Sequence, residues 1–309
     1  MSDINGTVAD ARRGNWVDRF APDWLKPYAR LARWDRPMPL WLLFWPCAFA
    51  LALAAIARPE AGFDFYALAL CAIGSVLMRG AGCTFNDIAD RHIDARVART
   101  RSRPIPSGQV TAYRAFLFFG LQSALGFLIL VQFNAFTIWL GVASLVLVGI
   151  YPFMKRITFW PQLFLGFAFS YGALVGWSSQ TGGLALAPLV LYAGSIAWTI
   201  GYDTIYALQD IEDDALIGVK STARLFGERS APAVAGFYVL AMALWALSGW
   251  LVGAGPVFMI GLVPVAALLA WQVITLDIHD SANALARFRA NNLVGLLLAV
   301  AMIADWAVR

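Results

Sequence analysis

The chain has 309 residues, of which 60% are hydrophobic and only 14% charged, and its mean hydropathy is +0.67. That composition excludes a soluble globular protein of this size and describes a polytopic membrane protein. The net charge of +4 and the pI near 9.1 do not indicate nucleic-acid binding, because the basic residues are distributed as a topology signal.

In chain order, residues 1–37 are polar, aromatic and charged rather than a short apolar run, so no cleavable signal peptide is expected. Trp24, Lys26, Tyr28, Arg30, Arg33, Trp34 and Arg36 alternate aromatic and basic character, which predicts an amphipathic helix lying in the membrane interface. Arg36-Pro37 abuts the first span and is placed to face an active-site cavity. Nine stretches then come close to the roughly 20 apolar residues a helix needs to cross a bilayer: 39–57, 65–85, 113–131, 135–153, 161–178, 185–208, 231–252, 256–276 and 290–307. The expected fold is all-α, with nine transmembrane helices around a central cavity. The layout reads as two four-helix units, 39–153 and 161–276, plus a ninth span, a kind of internal repeat that often places a binding site at its interface. Residues 1–37 form the interfacial segment and 38–309 a single transmembrane domain.

Of the 23 lysines and arginines, 21 fall in segments that alternate spans place on one side, leaving only Arg58 and Arg309 on the other. The positive-inside rule puts that basic side, with the N-terminus, in the cytoplasm, and nine spans put the C-terminus opposite. The expected location is a bacterial inner membrane. Cys47, Cys71 and Cys83 lie in apolar segments without CxxC spacing and read as small buried side chains. His92 points away from the acidic face beside it, and His279 sits in a loop.

Two acid-rich runs end the second and sixth spans and open the two long loops on the basic side. In the first, Asn86, Asp90 and Asp94 recur at four-residue spacing and share a helix face, with Arg79 two turns deeper on nearly the same stripe. In the second, Asp203, Tyr206, Asp210 and the pair Asp213 and Asp214 form another stripe, with Gln209 beside it. Carboxylates against hydrocarbon are costly and mark function, and a buried arginine there needs an anionic partner. A solvated charge run explains two matched stripes poorly. Two acid stripes repel each other unless cations lie between them, and Mg2+ takes a few carboxylates plus substrate phosphates. Arg99, Arg103, Lys155 and Arg156, with Arg36 and Lys220, add positive charge around such a site. A lipid diphosphate fits, its chain running among apolar helices. ATP fits less well, since no GxxxxGK[ST] loop is present.

The run Asn86-Asp87-x-x-Asp90-Arg91-x-x-Asp94, continued by Arg99-Thr100-Arg101-Ser102-Arg103-Pro104-Ile105-Pro106-Ser107-Gly108, resembles the signature of the UbiA superfamily of intramembrane aromatic prenyltransferases. Tyr206-Ala207-x-Gln209-Asp210-x-x-Asp213-Asp214, followed by Ile217-Gly218-Val219-Lys220-Ser221-Thr222, is similar to that superfamily's second motif. Trp34-Asp35-Arg36-Pro37 and Tyr151-Pro152-Phe153-Met154-Lys155-Arg156 also match. Within the superfamily the combination most resembles the 4-hydroxybenzoate polyprenyltransferases of ubiquinone biosynthesis. Pro39 departs from the pattern, where a glycine is expected.

The resemblance implies a Mg2+-dependent transfer from polyprenyl diphosphate to the ring carbon of 4-hydroxybenzoate next to the hydroxyl. It implies Mg2+ held through Asn86, Asp90 and Asp94 on one side and Asp210, Asp213 and Asp214 on the other. Arg36, Arg99, Arg103 and Lys155 would neutralise the leaving diphosphate, with Tyr151, Arg156, Tyr206 and Lys220 also contacting substrate. Arg79 is the candidate for the acceptor carboxylate, and Asp210 or Asp203 for assisting proton removal. Another acceptor (a porphyrin, chlorophyllide or naphthoate) keeps the same chemistry. An ion-coupled transporter is the alternative from a different class, and would show mid-span acids and broken helices.

Overall fold

The computed structural model describes residues 14–96, 100–211 and 218–309, apart from the side chain of Asp210. Its helices are α1 (Trp16–Phe20), α2 (Lys26–Leu31), α3 (Met38–Ala57), α4 (Phe65–Asp94), α5 (Ala112–Leu130), α6 (Ala135–Ile157), α7 (Pro161–Phe169), α8 (Gly172–Thr181), α9 (Leu186–Ala207), α10 (Thr222–Phe226), α11 (Ser230–Leu251), α12 (Pro256–Ile274) and α13 (Ser281–Ala307). Among the described residues there is no strand. Helix starts follow local chemistry. Thr111, Asn134 and Asp280 each accept a backbone N–H from the first turn of α5, α6 and α13, satisfying donors that have no partner inside the helix. Pro39 sits in the first turn of α3, where a missing N–H costs nothing.

Against the nine expected spans, seven helices among the described residues are long and apolar enough to cross a membrane: α3, α4, α5, α6, α11 (with the short helix before it), α12 and α13. The apolar stretch 161–178 is divided into α7 and α8 at Ser170-Tyr171. There the N–H groups of Ala173 and Leu174 bond the carbonyls of Ser170 and Tyr171, three residues back, so the turn tightens at a Ser/Gly step. Averaged hydropathy runs straight across such a break. Helix α9 has the length, but Ser195, Thr199, Tyr202, Asp203 and Thr204 dilute its apolar character.

The chain forms two compact units, and they interleave in sequence instead of following the expected halves 39–153 and 161–276. One comprises the residues up to Leu40 together with Ala72–Gln132; the other comprises Trp41–Cys71 and Phe133–Arg309. The interleaving has a packing cause, because α3 belongs with the late helices. The indole N–H of Trp45 donates to Asn292 Oδ1 at 2.9 Å, and Phe49 packs on Trp198 and Trp245.

In the first unit, Leu31, Val110 and Ala115 are buried with Tyr28, Ile88, Ile105 and Phe118 around them. Gln122 Nε2 bonds Thr84 Oγ1 at 3.2 Å across α5 and α4. In the second unit, helices approach closely through small residues, as they do in membranes. A Cβ on Gly176 would lie 2.6 Å from the Cys47 carbonyl oxygen, and one on Gly201 would lie 2.5 Å from the Tyr238 ring. That ring cannot retreat, because its hydroxyl belongs to a buried polar network. Tyr238 Oη donates to Gln272 Oε1 at 3.0 Å, Asn291 Nδ2 to the same oxygen at 2.8 Å, and Trp198 Nε1 to Asn291 Oδ1 at 2.7 Å. Gly201→Val therefore overpacks α9 against α11 and is expected to destabilise the protein by about 1–3 kcal/mol, read as a lower Tm of the detergent-purified protein; an unchanged Tm would refute this account of the contact.

Candidate active site

The first half-site is the C-terminal part of α4. An apolar helix that continues past hydrocarbon into a run of acids carries them in register, and Asn86, Asp90 and Asp94 do lie on one inclined row. At about 100° per residue each four-residue step turns the row by about 40°, so by Asp94 it has drifted toward the face that holds Asp87. Asp87, Asp90 and Asp94 are all buried, Asp87 completely, while Asn86 and Arg79 are half-buried.

Two segments bring guanidinium groups to this row. The first is the turn after α2, where Arg33 takes a left-handed conformation (φ 58°), a strain of about 1–2 kcal/mol for a residue with a Cβ. Its Nη2 donates to Asp87 Oδ1 at 2.6 Å and its Nη1 to the Arg30 carbonyl at 2.9 Å. The second is the loop after α4. Arg103 Nη1 lies 2.9 Å from Asp94 Oδ2 and 3.4 Å from Asp87 Oδ1. That loop is folded on itself and on α4: Thr100 Oγ1 donates to the Asp94 carbonyl at 3.0 Å, and Ser107 Oγ to the Arg103 carbonyl at 2.7 Å. Arg36 is held by the neighbouring Asp35 carboxylate, Nη2 to Oδ2 at 3.0 Å. Arg99 lies outside the described residues.

The second half-site is the end of α9 and the segment beyond it. Asp203 and Tyr206 are half-buried on the last turns. The Tyr206 ring stands 4.6 Å from that of Phe288, and Gln209 Nε2 bonds the Tyr206 carbonyl at 3.0 Å. The helix tightens into a 3-10 turn at Leu208–Asp210. The Asp210 side chain, Asp213 and Asp214 lie outside the described residues. The chain after them docks firmly. Lys220 N donates to the Lys155 carbonyl at 2.9 Å and Lys220 Nζ to the Ile157 carbonyl at 3.0 Å, so this lysine satisfies the C-terminal carbonyls of α6. Thr222 N donates to Gln162 Oε1 at 3.0 Å, and Thr204 and Thr222 share a hydroxyl bond of 2.6 Å. Lys155 and Tyr151 are half-buried one turn apart on α6, whereas Arg156 is exposed and lies over Phe153.

Sequence reasoning therefore found the row on α4 and named Arg103 beside it, but missed the Arg33–Asp87 pair. Arg33 and Asp87 carried no role there; the only signal was that Asp87 adjoins the row and needs a cation to be buried. The donor set fits Mg2+. Asn86 and Asp90 offer hard oxygen donors one turn apart, and no cluster of three His, Cys, Asp or Glu side chains occurs among the described residues. Mg2+ takes such oxygen donors and keeps waters and phosphate oxygens in the rest of its shell.

The UbiA prenyltransferase family matches residues 43–296. The chain is 45% identical over 288 residues to a rat protein described as "4-hydroxybenzoate polyprenyltransferase, mitochondrial", covering 93% of this chain and 76% of that one. The human protein of the same description is 43% identical over 284 residues, 92% of this chain and 76% of its own. Among solved structures, the apo form of a UbiA homolog from Aeropyrum pernix K1 superposes with a TM-score of 0.71 at 25% identity, over 85% of this chain and 97% of that one. A UbiA homolog from Archaeoglobus fulgidus bound to DMAPP and Mg2+ has the same fold, with a TM-score of 0.67 at 18% identity over 91% and 99% of the two chains. The chain belongs to the UbiA prenyltransferase family.

One buried carboxamide, that of Gln162, adds to the backbone and hydroxyl bonds that dock the segment after the second acid run. Gln162→Leu leaves the Thr222 N–H without its acceptor, a loss of about 1–3 kcal/mol for a buried donor. Trypsin is expected to cut after Lys220 about tenfold faster or more in this variant; equal rates would show that the carboxamide does not hold the segment.

Proposed function

We infer that the protein is a Mg2+-dependent 4-hydroxybenzoate polyprenyltransferase, moving a polyprenyl chain from its diphosphate to the ring carbon next to the phenol hydroxyl, a step of ubiquinone biosynthesis. The observation that carries this is the oxygen-donor row of half-buried Asn86 and buried Asp90 and Asp94, flanked by guanidinium groups, in a chain whose 45%-identical relative carries that name.

Asn86, Asp90 and Asp94, and in the second half-site Asp210, Asp213 and Asp214, would hold Mg2+, which supplies charge neutralisation at the diphosphate leaving group. Arg103, Arg99, Arg36 and Lys155 share that neutralisation, offering N–H donors to phosphate oxygens whose negative charge grows as the C–O bond breaks. Tyr151, Arg156, Tyr206 and Lys220 complete the contacts to substrate. Arg79, two turns deeper on the α4 row, receives the carboxylate of 4-hydroxybenzoate. The electron-rich carbon beside its hydroxyl then attacks the allylic cation, and Asp210 or Asp203 assists loss of the ring proton. Apolar helix walls would keep water from the cation.

The topology we propose has nine crossings. The pair α7–α8 spans Pro161–Thr181, about 30 Å at 1.5 Å per residue and enough for the hydrocarbon layer. Helix α9 adds the other crossing. The N-terminus and both acid-bearing helix ends then share the basic side, which is the cytoplasmic face in a bacterial inner membrane.

Membranes containing the protein, incubated with 4-hydroxybenzoate, geranyl diphosphate and Mg2+, are expected to form the prenylated acid, and chelation to stop it; absence of product with Mg2+ present would sink the activity. Asp90→Ala and Asp210→Ala should each lower kcat by about a hundredfold or more. Arg79→Ala should raise KM for the aromatic acid about tenfold, and an unchanged KM would remove Arg79 from the carboxylate.

A further inference from the structure

Helix α13 carries Phe288, Asn291 and Gly295 at three- and four-residue spacing, so the three share one buried face. Each is met by a different partner. A Cβ on Gly295 would run into the Trp45 ring of α3. Asn291 Oδ1 accepts the indole N–H of Trp198 on α9 at 2.7 Å. Phe288 meets two tyrosines of α9 that stand one turn apart, its ring centroid 6.0 Å from that of Tyr202 and 4.6 Å from that of Tyr206. The turn that bears Phe288 is also clamped from α12. The Arg287 guanidinium stands 4.1 Å from the Trp271 ring centroid, and its Nε donates to Thr275 Oγ1 at 2.8 Å.

Tyr206 is the residue that gains from this backing. It stands on the last turn of α9, where the chain passes into the 3-10 turn Leu208–Asp210. Helix ends fray, and 3-10 hydrogen bonds have poorer geometry than α-helical ones. At 4.6 Å the ring pair lies at the close end of the range, about 4.5–7 Å, over which aromatic rings attract. Helix α13 packs against the 3-10 turn as well. The bond between Trp198 and Asn291 fixes the register of the two helices two turns earlier in α9, and Phe288 carries that register to the end of the helix. An aryl ring offers a diphosphate or a cation neither a charge nor a hydrogen bond. What it can do is hold the residues that offer both.

We propose that Phe288 is a positioning residue of the second half-site, its ring holding Tyr206, and through it the Leu208–Asp210 turn, where substrate meets them. The kinetic side of this rests on the prenyl-transfer reading of the site; the structural side does not.

Amide hydrogen exchange of the detergent-purified protein, without substrate or Mg2+, reads the structural side. In Phe288→Leu the amides of residues 207–210 are expected to exchange about tenfold faster, with those of α6 at wild-type rates. Wild-type exchange at 207–210 would overturn the proposal, as would an equal acceleration in α6. A double-mutant cycle with Tyr206→Leu reads the kinetic side. Phe288→Leu should lower kcat/KM for geranyl diphosphate about tenfold when Tyr206 is present, but less than about twofold in Tyr206→Leu, where the ring it serves is gone. A general loss of stability would act alike in both backgrounds, so equal effects there would overturn the proposal, as would wild-type kcat/KM in Phe288→Leu. If Phe288→Leu does not fold, Phe288→Met, which conserves volume and loses the ring, should speed exchange at 207–210 about threefold; wild-type exchange in that variant overturns the proposal equally. Wild-type protein that forms no prenylated acid would refute the activity, and the exchange arm alone would then decide the role of Phe288.

Discussion

A carboxylate at the end of an apolar helix survives burial only if a cation is brought to it, and the first unit is organised around that requirement. Leaving one such charge uncompensated would cost several kcal/mol. Asp87 and Asp94 are therefore met by Arg33 and Arg103, and meeting them dictates the path of two other segments. The chain leaving α2 adopts a conformation that a side chain ordinarily avoids, and the loop after α4 folds back along the helix it has just left. In the function proposed for this protein, the charge that would meet a diphosphate already lies close to the acids that would meet a metal.

The second unit meets a different constraint. Helices in lipid gain nothing from hiding hydrocarbon from one another, so close approach and shared hydrogen bonds must hold them. Gly176 and Gly201 permit the approach, and the Trp198, Tyr238, Gln272 and Asn291 network joins α9, α11, α12 and α13. On that frame α9 presents Asp203 and Tyr206, and the α6 terminus accepts Lys220. A rigid bundle with a docked segment at its end suits chemistry in which a cation must be kept from water while a charged leaving group remains near solvent.

The break between α7 and α8 bears on the alternative from another class. A transporter would carry broken helices and acids within its spans. The break here is lined by Ser170, whose hydroxyl pairs with Thr199 at 3.3 Å; it carries no charge, and the acids stay at helix ends. Family membership, with relatives about 45% identical across more than nine-tenths of the chain, points the same way.

Membrane class, the acid row of α4 and the family were legible in the sequence, because each is written in composition or in spacing along one helix. Hydropathy is a local sum, and four-residue spacing is a property of a single element. The division of segment 161–178, the interleaved units and the pairing of Asp87 with Arg33 were not legible. Whether a helix breaks depends on what Gly172 and Gly176 press against, and α3 joins the late helices through Trp45 and Asn292, contacts between residues far apart in sequence. The acid row showed the same boundary. Helix spacing placed Asn86, Asp90 and Asp94 along one row that drifts toward Asp87; only tertiary structure decided which carboxylates Arg33 and Arg103 meet, because those cations come from elsewhere in the chain.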